Sequence, residues 1–64
     1  MKLKFIGEDG SMGLKYGKRY VCKVMASNDV VCVRWFYHDE NLRQIGQNQC
    51  LYDSFAAMFR NWEE

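Results

Sequence analysis

Hydrophobic and polar positions alternate along much of this chain, and the places where the alternation fails mark its loops. In "KLKFIG", Leu3 and Phe5 fall on one side against Lys2 and Lys4, the period-two pattern of a half-buried strand. "RYVCKVMA" repeats the pattern, with Tyr20, Cys22, Val24 and Ala26 sharing a face. "VVCVRWFYHD" is the strongest strand signal, with Val31, Val33, Trp35 and Tyr37 set against Cys32, Arg34, Phe36 and His38. The second set is only partly polar, so the pattern predicts a central strand covered on both faces. "SND" between the two runs suits a hairpin turn, and a short turn between consecutive strands predicts antiparallel pairing.

Two segments break the alternation. "GEDGSMGLKYGK" carries glycine at 7, 10, 13 and 17, and reads as a loop that doubles back with Leu14 as its apolar anchor. "DENLRQIGQNQ" is polar and reads as a long connection holding at most a short strand, before "CLY" resumes apolar character. Beyond it, Phe55, Met58, Phe59 and Trp62 stand at helical spacing after Asp53 or Ser54 as N-cap. Against a stable helix stand its shortness and Glu63 and Glu64, at the wrong end for the macrodipole. Periodicity alone leaves helix and strand both open there.

Composition narrows the class. Sixty-four residues make one domain, 1–64, and four Phe, four Tyr and two Trp are enough for a compact core. Nine basic and eight acidic residues leave a net charge of +1, which argues against a dedicated nucleic-acid binder. No run reaches the roughly 18–20 apolar residues of a membrane span, and the start "MKLKFIGEDG" lacks a signal-length apolar stretch. Three Cys without disulfide spacing then predict a cytoplasmic protein with reduced thiols.

Reaction chemistry is hard to find. "GLKYGKRY" resembles a phosphate loop only in part: Met12 stands where the first glycine belongs, and Arg19 follows Gly17-Lys18 where Ser or Thr is needed. Cys22, Cys32, Cys50 and His38 offer metal-ligand chemistry, but no C-x₂₋₄-C knuckle is present, so buried thiols are the expected reading and no metal or cofactor is expected. A Cys50–His38 nucleophile pair can be drawn, yet neither residue lies in a recognisable elbow. The expectation is a protein without catalysis. Lys15, Tyr16, Lys18, Arg19 and Tyr20 interleave cations with rings, and Arg34 to His38 could extend that surface. The plainer reading keeps Tyr20 and Trp35 in the core and lets the lysines solvate a turn.

Both ends of the chain carry a resemblance. "KFIGEDGSMGLKYGKRY", through Leu14, Gly17, Lys18 and Tyr20, is similar to the start of small proteins encoded by phages and prophages of Gram-positive bacteria. "CLYDSFAAMFRNWEE" resembles their ending at Cys50, Tyr52, Ser54, Phe55, Phe59, Asn61 and Trp62, with Leu51 where they carry proline. The resemblance implies a mainly β fold, an SH3-like barrel of about five short antiparallel strands. It also implies one helical turn after Tyr52 and a last strand carrying Trp62. Leu14, Gly17, Tyr20, Trp35, Phe55 and Trp62 are the expected core and fold signature. The expected function is a small phage-derived interaction module binding a protein partner, a host or host-defence factor, through Tyr16, Lys18, Arg19, Arg34, Phe36 and His38. The alternative is a nucleic-acid accessory protein using the same basic and aromatic residues. A structural subunit that completes its core by self-association is a third, weaker reading.

Overall fold

The computed structural model describes residues 1–64 throughout. Five strands run in the order β1 (Lys2–Phe5), β2 (Arg19–Ser27), β3 (Val30–His38), β4 (Gln44–Tyr52) and β5 (Trp62–Glu63). A helix, α1 (Phe55–Phe59), precedes the last strand. All pairings are antiparallel and the sheet order is β4-β3-β2-β1-β5. The chain meanders from β1 to β4 and then returns to lay β5 along the free edge of β1. This is the expected class, a mainly β fold of five antiparallel strands with a short helix near the C-terminus.

Alternation decides which face turns inward. Leu3 and Phe5, Tyr20 and Cys22, and Val31, Val33 and Trp35 are buried, joined by Leu14, Met58 and Trp62 in one core cluster. Trp62 gathers the strands. Its ring meets Phe5 edge-on at 5.2 Å, Tyr20 at 6.2 Å and Trp35 at 5.6 Å between centroids. Its indole N–H donates to the Tyr52 hydroxyl at 3.0 Å, linking β5 to β4 across the open side of the curled sheet. Trp35 is treated likewise, donating to the Tyr37 hydroxyl at 2.9 Å. Neither buried indole is left without a partner.

"GLKYGKRY" turns the chain and pins it. Leu14 is fully buried, and Gly17 takes a left-handed φ of 82°, which suits glycine at no steric cost. Phe5 then exchanges backbone hydrogen bonds with Gly17 and Lys18 at 2.7 and 2.9 Å. The Tyr20 hydroxyl accepts from the Lys15 amide at 2.9 Å, and Lys18 lies over the Tyr20 ring at 5.2 Å. The loop is held from inside by its own anchor residues.

Four expectations need correction. The polar connection is short: Asp39 closes a turn by accepting from the Asn41 and Arg43 amides, each at 2.9 Å. "QIGQNQCLY" is then one nine-residue strand, because backbone pairing to β3 does not require apolar side chains. The outward face of β3 is uncovered, leaving Cys32, Arg34 and Phe36 half-buried and His38 exposed. β2, and not β3, holds the middle of the sheet.

Phe55 is the fourth correction. It is 50% exposed and stacks beside Phe59 on the surface, outside the core it was expected to join. Ser54 caps α1 by accepting from the Ala57 amide at 3.0 Å, and the helix is only five residues long. Met58 turns inward from the helix, while Trp62 reaches the core from β5. The helical stripe is thus divided between two elements.

Trp35→Ala and Trp62→Ala are each expected to cost about 3–5 kcal/mol, as much as the core of so small a domain supplies, about 3–5 kcal/mol. Both variants should be largely unfolded in a urea titration followed by circular dichroism; a wild-type midpoint would mean the inward face is misassigned. Gly7→Ala tests close approach. A Cβ there meets the Asn61 amide oxygen and the Phe5 ring at 2.6 Å, so overpacking should cost about 1–3 kcal/mol on the same titration.

Candidate functional site

The uncovered face of the sheet is basic. Alternation that sends Leu3, Phe5, Tyr20, Cys22, Val33 and Trp35 inward sends Lys2, Lys4, Arg19, Lys23, Arg34 and Phe36 outward. Register then sets like charges opposite one another, with Lys4 facing Arg19 and Lys23 facing Arg34. Such pairs destabilise a sheet. Two neighbours soften the repulsion: Glu63 pairs with Lys4 at 3.3 Å, and the Gln49 carboxamide oxygen accepts from Arg34 at 3.1 and 3.3 Å. The Lys4–Glu63 pair is the single intramolecular ion pair, and it is solvent-exposed.

A groove of about 660 Å³ opens at one end of this face. Its apolar lining comes from Tyr20, Val21, Phe36, Tyr37, Leu42 and Ile45. Lys2, Lys18, Arg19 and His38 supply the polar rim, with Asp39 as its one carboxylate. Register explains the assembly: Lys2 faces Val21 and Val21 faces Phe36, so three strands place one row of side chains side by side. Leu42 comes from the β3–β4 turn, where it holds a left-handed φ of 63° and is 83% exposed.

Of the residues singled out in the sequence, Lys18, Arg19, Phe36 and His38 meet in this groove. Arg34 lies on the same face, farther along β3 and tied to Gln49. Tyr16 is elsewhere: it is exposed on the β1–β2 loop, its amide donating to Asp9 at 2.9 Å. Val21, Leu42 and Ile45 escaped the sequence reading. Val21 was findable as the residue alternating with Tyr20 and Cys22; the other two fell in a stretch read as a polar connection.

The metal and nucleophile constellations do not assemble. Cys22 and Cys50 lie on the inward side of the sheet and Cys32 on the outward side, and no three His, Cys, Asp or Glu side chains cluster as a metal site would require. All three thiols are free. Cys50 pairs with Val33, five positions from His38 and on the opposite face, a separation of roughly 17 Å at about 3.4 Å per residue. Burial pushes the Cys22 thiol above its ordinary range, against the Leu3 backbone and the N-terminal ammonium, which favour the thiolate. A thiol so placed is a small core residue.

Tyr52 is the other perturbed group. Burial pushes its phenol up to about 12; the Trp62 indole N–H favours the phenolate, while Cys50 adds to the rise. The unfolded chain therefore loses this proton first. The stabilisation is fully present below pH 10 and is lost as pH rises from about 10 to 12. Melting temperatures across that window should fall more steeply for the wild type than for Tyr52→Phe, which starts lower because Trp62 has lost its acceptor. Parallel slopes would mean that the phenol titrates as it does in water.

No family model, curated protein or solved structure matches this chain. Function is therefore argued from the groove and the face around it.

Proposed function

We propose that this chain is a small non-catalytic interaction module of the phage type its two ends resemble. It acts in the host cytoplasm and holds a protein partner, a host or host-defence factor, by an acidic segment that carries an apolar side chain. The observation that carries this reading is the basic outer face, where Lys4 faces Arg19 and Lys23 faces Arg34. An anionic partner relieves that repulsion, and the field of such a face steers one toward it. The groove then takes the apolar residue on Val21, Phe36, Leu42 and Ile45 while Lys2, Lys18 and Arg19 meet the carboxylates.

The same cations favour a second reading, a nucleic-acid accessory protein. Rings argue against it. Single-strand binders stack successive bases on several exposed aromatics, whereas here the rings of the groove, Tyr20, Phe36 and Tyr37, are buried or half-buried, and the exposed Tyr16 lies apart on the β1–β2 loop. Tyr20, Trp35 and Trp62 are buried in the core. Aliphatic Val21, Leu42 and Ile45 suit a peptide side chain better than a stacked base.

Fluorescence anisotropy separates the two. The probes are a labelled peptide of Asp and Glu residues around a single Leu, and labelled single- and double-stranded oligonucleotides. The peptide is expected to bind, and Arg19→Glu and Phe36→Ala should each weaken it by about tenfold or more. Oligonucleotide affinity should stay within the non-specific range of about 10⁻⁴–10⁻⁶ M at physiological salt. Tighter nucleic-acid binding that falls steeply with salt, and is lost on joint replacement of Lys15, Lys18 and Arg19 by Ala, would replace the first reading with the second.

A further inference from the structure

The outward side chains of β2 and β3 alternate in kind. Along β2 they run Arg19, Val21, Lys23 and Met25, a cation and an apolar residue by turns. Along β3 they run Cys32, Arg34 and Phe36. Register stacks like on like: Val21 faces Phe36, Lys23 faces Arg34 and Met25 faces Cys32. On β4, Leu51 faces Cys32 and extends the last of these rows, where it is 62% exposed. The outer face therefore carries two apolar rows with a basic row between them. Successive rows lie two residues apart, roughly 6.6 Å, so the two apolar rows are separated by roughly 13 Å.

We infer that the acidic segment of the partner is an α-helix lying along β2 and β3. One of its apolar side chains sits on Val21 and Phe36, a second about two turns away sits on Met25, Cys32 and Leu51, and a carboxylate between them meets Lys23 and Arg34. This rests on the reading of the basic face and its groove as the binding surface, and adds to it a second apolar row and the conformation of the partner. Charge complementarity selects an acid for the middle row. Lys23 and Arg34 face each other without a carboxylate: the one ion pair of the chain is Lys4 with Glu63, and Arg34 has only the neutral Gln49 carboxamide. Apolar contacts on both sides exclude water from that row, which strengthens the charged contact at its centre.

Geometry selects the helix. Residues i, i+4 and i+8 lie about 6 and 12 Å along a helix axis, close to the row spacings, and within the roughly 100° arc of one helix face. A helix about 10–12 Å across fits on β2, β3 and a neighbour to either side, three spacings of about 4.8 Å. The backbone argues the same way. A sheet face presents side chains, while its N–H and C=O groups lie in the plane of the sheet. An extended segment laid on that face finds no partners for its own backbone and would need an edge instead. A helix satisfies its backbone internally.

The test compares labelled peptides of about eighteen residues, long enough to hold a helix, by fluorescence anisotropy. The phased peptide carries Leu at i and i+8 and Glu at i+4 on a background of Ala and Gln. The reordered peptide exchanges the Glu with the second Leu, keeping composition and charge. On the wild-type chain the phased peptide should bind about tenfold or more tightly than the reordered one, and a central proline, which breaks the helix, should remove the gain. Joint Met25→Ser/Leu51→Ser, with circular dichroism unchanged, should also remove the gain while leaving the short Asp/Glu peptide with its single Leu bound as before. Equal binding of the phased and reordered peptides overturns the inference and leaves the groove reading standing. So does a gain that survives the proline, which would mean an extended partner, or a gain that survives the joint variant. If neither the phased nor the short peptide binds, the groove reading falls and the inference falls with it. The comparison of peptides is made on the wild type and depends on no variant folding.

Discussion

Trp62 is the contact on which the fold depends. A two-residue strand contributes little backbone pairing, yet its indole touches rings from β1, β2 and β3 and donates a hydrogen bond to a phenol on β4. A sheet of this order has two edges that its backbone cannot join. Trp62 joins them through side chains, filling the concave side and fixing how far the sheet curls. The buried N–H makes the arrangement exacting: an indole removed from water without an acceptor would cost about 1–3 kcal/mol, and only Tyr52 is placed to supply one.

That concentration of rings on one side has a consequence for the other. A domain of this size has enough large apolar residues for one core and not for two covered faces. The helix, the glycine loop and β5 all serve the concave side, so the convex face of β1, β2 and β3 stays open to solvent. Cations populate it, with two like-charged pairs in register. The groove at its end is the place where apolar and basic side chains adjoin. Binding and stability are thus divided between the two faces of one sheet.

β4 belongs to neither regime. Its residues are mostly polar and uncharged, its inner positions include Gly46 and Asn48, and only Cys50 and Tyr52 pack against the core. The strand is held chiefly by its hydrogen bonds to β3. Arg34 donates twice to the Gln49 carboxamide oxygen, and these are the side-chain hydrogen bonds between the two strands.

The sequence by itself determined the inward residues of β1, β2 and β3, the hairpin at Asn28-Asp29 and the anchoring of the loop by Leu14. Those features follow from period-two alternation and turn chemistry, which are local. It offered Asp53 or Ser54 as a helix cap while leaving helix and strand both open, and the resemblance of the ends implied the helical turn and the final strand. Tertiary structure alone decided that α1 stops after Phe59, leaving Phe55 and Phe59 outside, because the backbone must straighten for Trp62 to reach Phe5 and Trp35. It alone made a strand of Gln44–Tyr52, since pairing to β3 satisfies backbone groups whatever the side chains are. The groove was equally out of reach of the sequence. Lys2, Val21 and Phe36 come from three separate stretches, and only strand register brings them into one row, beside which the β3–β4 turn and the start of β4 set Leu42 and Ile45.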